Sequence, residues 1–175
     1  MVRYIDIEEQ VDFDFTRARR KAFVRRMQAR LFGDPASTSM RSFEEVSNEH
    51  GAFNRVRLGR RVVAVEKIVG SVGRFRDFDR TFLPTRGSVE AKWKRIDRAY
   101  HRGQDLPPVT LFKVGDAYFV EDGNHRVSVA RYQGIEWIEA EVTVLHGSIS
   151  AAPIQASGTK AQEKERAVAT QPIAA

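Results

Sequence analysis

Apolar positions change their period several times along this chain, and each change marks an element. Within residues 16–32, Phe23, Met27 and Leu31 recur every fourth position, the spacing of one helical face. That spacing predicts a helix with Thr16 as its cap and Gly33-Asp34-Pro35 as its stop. Arg30 intrudes at the edge of the stripe, so this helix is expected to pack on the domain or on a partner subunit rather than to stand alone. A short second helix is predicted over residues 42–50, where Ser42 precedes Glu45 at capping-box spacing. Residues 61–69 are rich in β-branched side chains and predict a strand. After a loop over 70–80, Val89, Trp93, Ile96 and Tyr100 fall at helical spacing within 89–102, with Ser88 as cap, Gly103 as stop and Lys92, Lys94, Arg95 and Arg98 on other faces.

The next pattern has period two. Residues 109–114 and 117–121 predict the arms of a hairpin, and glycine first in the loop Gly115-Asp116 suits a type II′ turn. Asp122-Gly123-Asn124 breaks the second arm, and residues 125–133 predict a helix that Gly134 can end. A last strand over 137–145 alternates cleanly, with Ile138, Ala140, Val142 and Val144 on one face and Glu139, Glu141 and Thr143 on the other. Trp93 and Trp137 are expected in the core, and Glu66 toward solvent. Residues 147–175 carry few large apolar side chains and are expected to be disordered. Together these elements predict an α+β domain over 61–146, with a basic, mainly helical N-terminal arm over 1–60 and a disordered tail.

Composition narrows the function classes. No apolar run approaches the length of a membrane span, the N-terminus lacks the apolar stretch of a signal peptide, and the chain has no cysteine. Disulfides, thiolate metal sites and cysteine nucleophiles are therefore excluded, and a soluble, cytoplasmic protein is expected. The formal net charge is +6 and the pI near 9.9, a balance that favours anionic partners. The charge is concentrated in Arg17, Arg19, Arg20, Lys21, Arg25, Arg26 and Arg30, with a second group at Arg55, Arg57, Arg60 and Arg61. The histidines, His50, His101, His125 and His146, show no ligand spacing, so a metal centre is not expected.

Candidate chemistry lies where the second hairpin arm meets the helix, at Asp122-Gly123-Asn124-His125-Arg126. A helix N-terminus exposes unpaired backbone N–H groups and about half a positive charge, which suits an anion. Gly123 lets a ligand approach the backbone, Arg126 can offer a forked, permanently charged donor to phosphate, and His125 can donate a hydrogen bond or shuttle a proton near neutral pH. Asp122 can accept from a ribose hydroxyl, cap the helix, or hold Mg²⁺ through water. The bland alternative is an ordinary strand-to-helix turn, for which Asp-Gly-Asn is suitable. Similarly, Phe75, Phe78 and Phe82 alternate with Arg74, Arg76 and Arg80. Such a run can stack on bases, but it more often pins a loop to the core.

The order of elements, with Leu106-Pro107-Pro108-Val109 and the run from Val120 through Asp122-Gly123-Asn124-His125-Arg126 to Ala130, resembles the ParB N-terminal domain over residues 61–145. That family shares its fold with sulfiredoxins and free serine kinases. The resemblance implies that Gly123, Asn124, His125 and Arg126 hold nucleotide phosphates, and that Arg74 and Arg76 face the same pocket. Sulfiredoxin chemistry needs a cysteine where this chain has Asn124, and is excluded. The serine kinases carry a His-Glu pair where this chain has Ser71-Val72-Gly73-Arg74, leaving Asp77 and Asp79 as the nearest carboxylates.

The resulting expectation is a nucleotide-binding module of the CTP, ATP or ADP class, with Mg²⁺ accompanying the nucleotide. Hydrolysis or phosphoryl transfer would need a positioned base, for which His125 is the first candidate. The alternative is a basic DNA-binding regulatory protein of partition or transcription type acting through Arg17, Arg20, Lys21 and Arg25, with homodimerisation through the same helix. Partition proteins continue from this domain into a helix-turn-helix domain where this chain continues into the expected tail, so reading a specific DNA site is expected to require another module or a partner.

Overall fold

A computed structural model describes residues 6–33, 38–50, 52–74 and 76–147, without the side chains of residues 45, 47, 49, 50, 52, 53 and 147. Phe75 and residues 148–175 of the predicted disordered tail lie outside these residues, while Gly147, its expected first residue, ends the last strand. The fold is α+β. Helix α1 spans Ile7–Phe32, α2 Phe43–His50, α3 Glu90–His101 and α4 Asn124–Gln133. Strands β1 (Arg41–Ser42), β2 (Ala52–Ala64), β3 (Ile68–Ser71), β4 (Val109–Val114), β5 (Ala117–Asp122) and β6 (Trp137–Gly147) form one mixed sheet in the order β1-β3-β5-β4-β6-β2. β4 and β5 form the predicted hairpin, with Val114 opposite Ala117 and Gly115 at φ +58°.

Alternation along the central strands sends side chains to two cores. Val109, Leu111, Val120, Ala140 and Val142 meet α1, α3 and α4 through Phe15, Ala18, Ala22, Trp93 and Val127. Phe112, Val114, Phe119 and Leu145 meet α2 through Val46 and Phe43. β3 fits between β1 and β5 because Gly70 has no side chain: a Cβ there would lie 2.5 Å from the Arg41 carbonyl oxygen and 2.8 Å from the Phe119 ring.

Several expectations need correction. Thr16 caps nothing: its hydroxyl donates to the Asp12 carbonyl at 2.9 Å, inside a helix that begins at Ile7. The packed stripe of α1 is Val11, Phe15, Ala18 and Ala22, whereas Phe23, Met27 and Leu31 are 62%, 37% and 67% exposed. The long N-terminal half docks on α3 through the ion pairs Arg98–Glu8 and Lys94–Asp12 (2.9 Å) and the Phe15–Trp93 ring contact at 5.5 Å. The predicted strand over 61–69 is two strands. A 3₁₀ turn at Val65–Lys67 ends β2 and starts β3, which occupies a different place in the sheet. Arg131 holds that turn by donating to the carbonyls of Glu66 (3.2 Å) and Ile68 (3.0 Å). The boundary drawn at residue 60 thus falls inside β2, an edge strand paired with β6 from Ala52 to Ala64. Ser88 lies in a 3₁₀ turn, and α3 has no side-chain cap. Trp137 is 59% exposed rather than in the core, because β6 places it near the start of the last strand, opposite Ala64.

A buried polar cluster joins α1, α3 and α4. Asp14 Oδ1 accepts from Gln10 (3.0 Å) and the Tyr132 hydroxyl (2.9 Å), while Gln133 donates to Asp97 Oδ1 (2.8 Å). Burial pushes the Asp14 carboxyl up, but hydrogen bonds from His101, Gln10, Tyr132 and Gln133 outweigh it and hold the group below its usual range. Asp97 is raised to about 6, chiefly by burial.

Gly70→Ala is expected to destabilise the fold by more than about 2 kcal/mol, since backbone and a packed ring must both move. Gly73→Ala, where an added Cβ meets nothing within 4 Å, is expected to change stability by less than about 0.5 kcal/mol. Urea unfolding of the two variants provides the comparison.

Candidate phosphate site at the start of α4

β5 ends at Asp122, and Gly123 turns the chain into α4 at φ +104°. Only glycine fits. Besides the left-handed backbone, a Cβ there would lie 2.6 Å from Val109 Cγ1. No side chain caps α4, whose intrahelical bonding begins with Val127 N–H donating to the Gly123 carbonyl at 3.0 Å. The N–H groups of the first turn therefore stand at an uncapped helix end.

Arg126 does not point an open fork at a ligand. Its Nη1 donates to the carbonyls of Pro107 and Pro108 (2.8 Å), and its Nη2 donates to Asp122 Oδ2 (2.6 Å). With its side chain 11% exposed, Arg126 clamps the Leu106-Pro107-Pro108 segment and the end of β5 onto α4. This geometry corrects the expectation that its guanidinium is held in reserve for phosphate. Asp122 is the exposed partner in that clamp.

Asn124 and His125 behave differently. Asn124 is 6% exposed, and its Oδ1 is buried without a hydrogen-bond partner. Nε2 of the adjacent His125 is also buried and unpartnered, while its ring meets Phe78 edge-on at 5.5 Å. Buried polar atoms without partners are uncommon in folded proteins. Here two occur in consecutive residues at a helix N-terminus. Burial first, then the charges of Arg74, Lys92 and Arg95, lower the His125 pKa to about 4; Asp77 opposes them. His125 is thus neutral at pH 7, which corrects the expectation of a proton shuttle near neutrality.

The structure brings Arg74 to this site and places Arg76 in a neighbouring cleft. Arg74 pairs with Asp77 at 3.1 Å while contributing to the field at His125. Arg76 instead lines a cleft of about 970 Å³ with Arg26, Arg41 and Arg86, across Phe78 from the α4 start. Asp79 is buried and holds its own loop, its Oδ1 accepting from the N–H groups of Thr81 and Leu83 and from the Thr81 hydroxyl. Phe78 and Phe82 are buried, as loop anchors are. Lys92 and Arg95 were legible only as a polar face of α3. Their place beside His125 depends on α3 packing against α4, where Trp93 donates to the Ser128 hydroxyl at 2.9 Å.

Arg17, Arg20, Lys21 and Arg25 are exposed and line one shallow groove on α1 with Val24 and Gln28. Two are partly engaged: Lys21 lies over the Tyr132 ring at 5.2 Å, and Arg25 donates to the Thr81 hydroxyl at 2.6 Å. Among the described residues, no helix is long and apolar enough to cross a membrane.

Arg126→Ala is expected to lower unfolding stability by about 2–4 kcal/mol, since the two proline carbonyls and Asp122 lose their partner; Arg95→Ala is expected to be neutral within about 0.5 kcal/mol. The lowered His125 pKa contributes stability above the ordinary value of 6.5 that is lost as pH falls through about 4. The raised Asp97 carboxyl has the opposite sign between about 4 and 6, so the informative quantity is the difference between wild type and His125→Phe. That difference should shift against wild type by up to about 3 kcal/mol between pH 7 and pH 4; a flat difference in urea melts would refute the assignment.

The chain matches no protein-family model, no curated protein and no solved structure.

Proposed function

We propose that the start of α4 binds the phosphate groups of a nucleotide of the CTP, ATP or ADP class, as the ParB-like motif implies. The observation that carries this reading is the pair of unpartnered buried atoms on Asn124 and His125, at an uncapped helix N-terminus within the field of Arg74, Lys92 and Arg95. Backbone N–H groups would receive phosphate oxygens, and Lys92, Arg95 and Arg74 would offset the charge. Asn124 Oδ1 would accept from a hydroxyl or N–H of the nucleotide, and Nε2 of neutral His125 would donate or accept according to its tautomer. Arg126 acts here as a positioning residue that fixes the turn. Mg²⁺ would come with the nucleotide, within reach of Asp122 through water. Binding is the function proposed; turnover is not part of it.

A second reading has its own support. Arg17, Arg20, Lys21 and Arg25 share one groove on α1, and such a basic ridge suits a nucleic-acid backbone. Deleting residues 1–60 would remove most of β2 as well as α1, so substitution is the cleaner test of that ridge.

Calorimetric titration with CTP, ATP and ADP, with and without Mg²⁺, separates the two. Micromolar binding by at least one nucleotide is expected, weakened about tenfold or more in Lys92→Ala/Arg95→Ala with the melting temperature unchanged. Absence of binding at millimolar nucleotide would end this reading. Salt-sensitive DNA binding lost in Arg17→Glu/Arg20→Glu would then favour the ridge.

A further inference from the structure

The polar cluster between α1, α3 and α4 has a geometry that hydrogen bonding alone leaves incomplete. His101 Nε2 lies 3.0 Å from Asp14 Oδ2 and 3.6 Å from Asp97 Oδ2. The three ligand atoms all lie within 4.8 Å of one another. A single imidazole N–H can serve one of those carboxylates well, and Asp14 is the nearer. Asp97 is 0% exposed, and its Oδ2 is buried without a hydrogen-bond partner, facing the same gap. An ionised, buried carboxylate oxygen in that position is costly unless a cation meets it.

From this arrangement we infer a divalent transition-metal site formed by Asp14 Oδ2, Asp97 Oδ2 and His101 Nε2. One cation of charge +2 offsets both carboxylates and accepts all three lone pairs, where a proton can satisfy only one contact. With metal–ligand distances of about 2.1 Å, tetrahedral ligands stand about 3.4 Å apart, between the two separations found here. Two carboxylate oxygens and one imidazole suit Zn²⁺ or Mn²⁺, while Mg²⁺ and Ca²⁺ prefer all-oxygen shells. Asp97 and His101 sit one turn apart on α3, the spacing that places two ligands on one helix face. Gln10 and the Tyr132 hydroxyl orient Asp14 through its other oxygen, and the Gln133 amide donates to Asp97 Oδ1 at 2.8 Å and to Asp14 Oδ2 at 3.3 Å, so ligation by Asp14 Oδ2 gives up only the longer of the two Gln133 bonds. The His101 side chain is 23% exposed, which leaves an approach from solvent. Because Asp14 belongs to α1 and the other two ligands to α3, the metal fastens the N-terminal helix to the domain.

The test uses the full chain stripped with a chelator and titrated with ZnCl₂ by calorimetry, with the thermal melt as a second readout. Wild type is expected to bind one Zn²⁺ per chain with Kd of about 10 μM or tighter, and its melting temperature to rise by about 5 °C. Asp97→Asn and His101→Gln, both close in size to the original, should weaken binding about a hundredfold and abolish the shift, while His125→Gln retains both. Circular dichroism checks folding, and His101→Gln, at the partly exposed ligand, decides the matter if Asp97→Asn does not fold. Stoichiometric binding that survives His101→Gln, binding lost instead in His125→Gln, or no binding at about 100 μM Zn²⁺ would overturn the site.

Discussion

The crossing from β5 into α4 is a steric constraint on which much of the remaining geometry depends. At Gly123 the backbone takes φ +104° against Val109, with no room for a side chain. Arg126, one turn on, then closes over Asp122 and the carbonyls of Pro107 and Pro108. The clamp joins the segment entering β4, the end of β5 and the start of α4. It determines where the uncapped N–H groups of α4 point, and it brings His125 against Phe78. Burying the guanidinium is tolerable because two neutral carbonyls and a carboxylate share its donors.

That clamp changes how the motif is understood. Read as a string, Gly123-Asn124-His125-Arg126 offers four groups to a ligand. In the fold the glycine and the arginine are occupied by the turn itself, and the two middle residues are left with unpartnered atoms. The positive charge felt at His125 comes from elsewhere, from Lys92 and Arg95 on α3 and Arg74 in the loop after β3. The fold thus separates two roles within the motif: Gly123 and Arg126 set the turn, while Asn124 and His125 carry the unpartnered atoms.

A similar division appears on the other side of α3. Trp93 carries the apolar packing, with its indole N–H satisfied by Ser128. Asp97 and His101, one and two turns on, carry buried polarity toward α1. One twelve-residue helix therefore serves the sheet with one face, the α4 site with Lys92 and Arg95, and the Asp14 cluster with its C-terminal end. α3 thus contacts both α1 and α4.

The α+β class, the β4–β5 hairpin, α4 and the position of β6 were all legible in the chain, because each rests on local spacing and turn chemistry: Gly115 for the hairpin, Gly123 and Gly134 at the ends of α4. The residues of the α4 turn were legible too, but their roles were not. Whether Arg126 faces a ligand or two proline carbonyls depends on how the Leu106-Pro107-Pro108 segment packs, and no local rule contains that. The same limit explains the single strand expected over 61–69: β-branched side chains favour strand on both sides of Val65–Lys67, and only sheet order requires the break. It also explains α1, whose apolar stripe at Phe23, Met27 and Leu31 looked like the packing face until α3 and its ion pairs selected the Val11–Ala22 side. Asp97 and His101 stand at one-turn spacing in the sequence, yet Asp14 lies far away on another helix. Local sequence determined the β4–β5 hairpin, α4 and the course of β6, because those follow from short-range backbone sterics and periodicity. Tertiary packing decided which polar groups are paired and which are left open, because burial and partner distance exist only once distant segments meet.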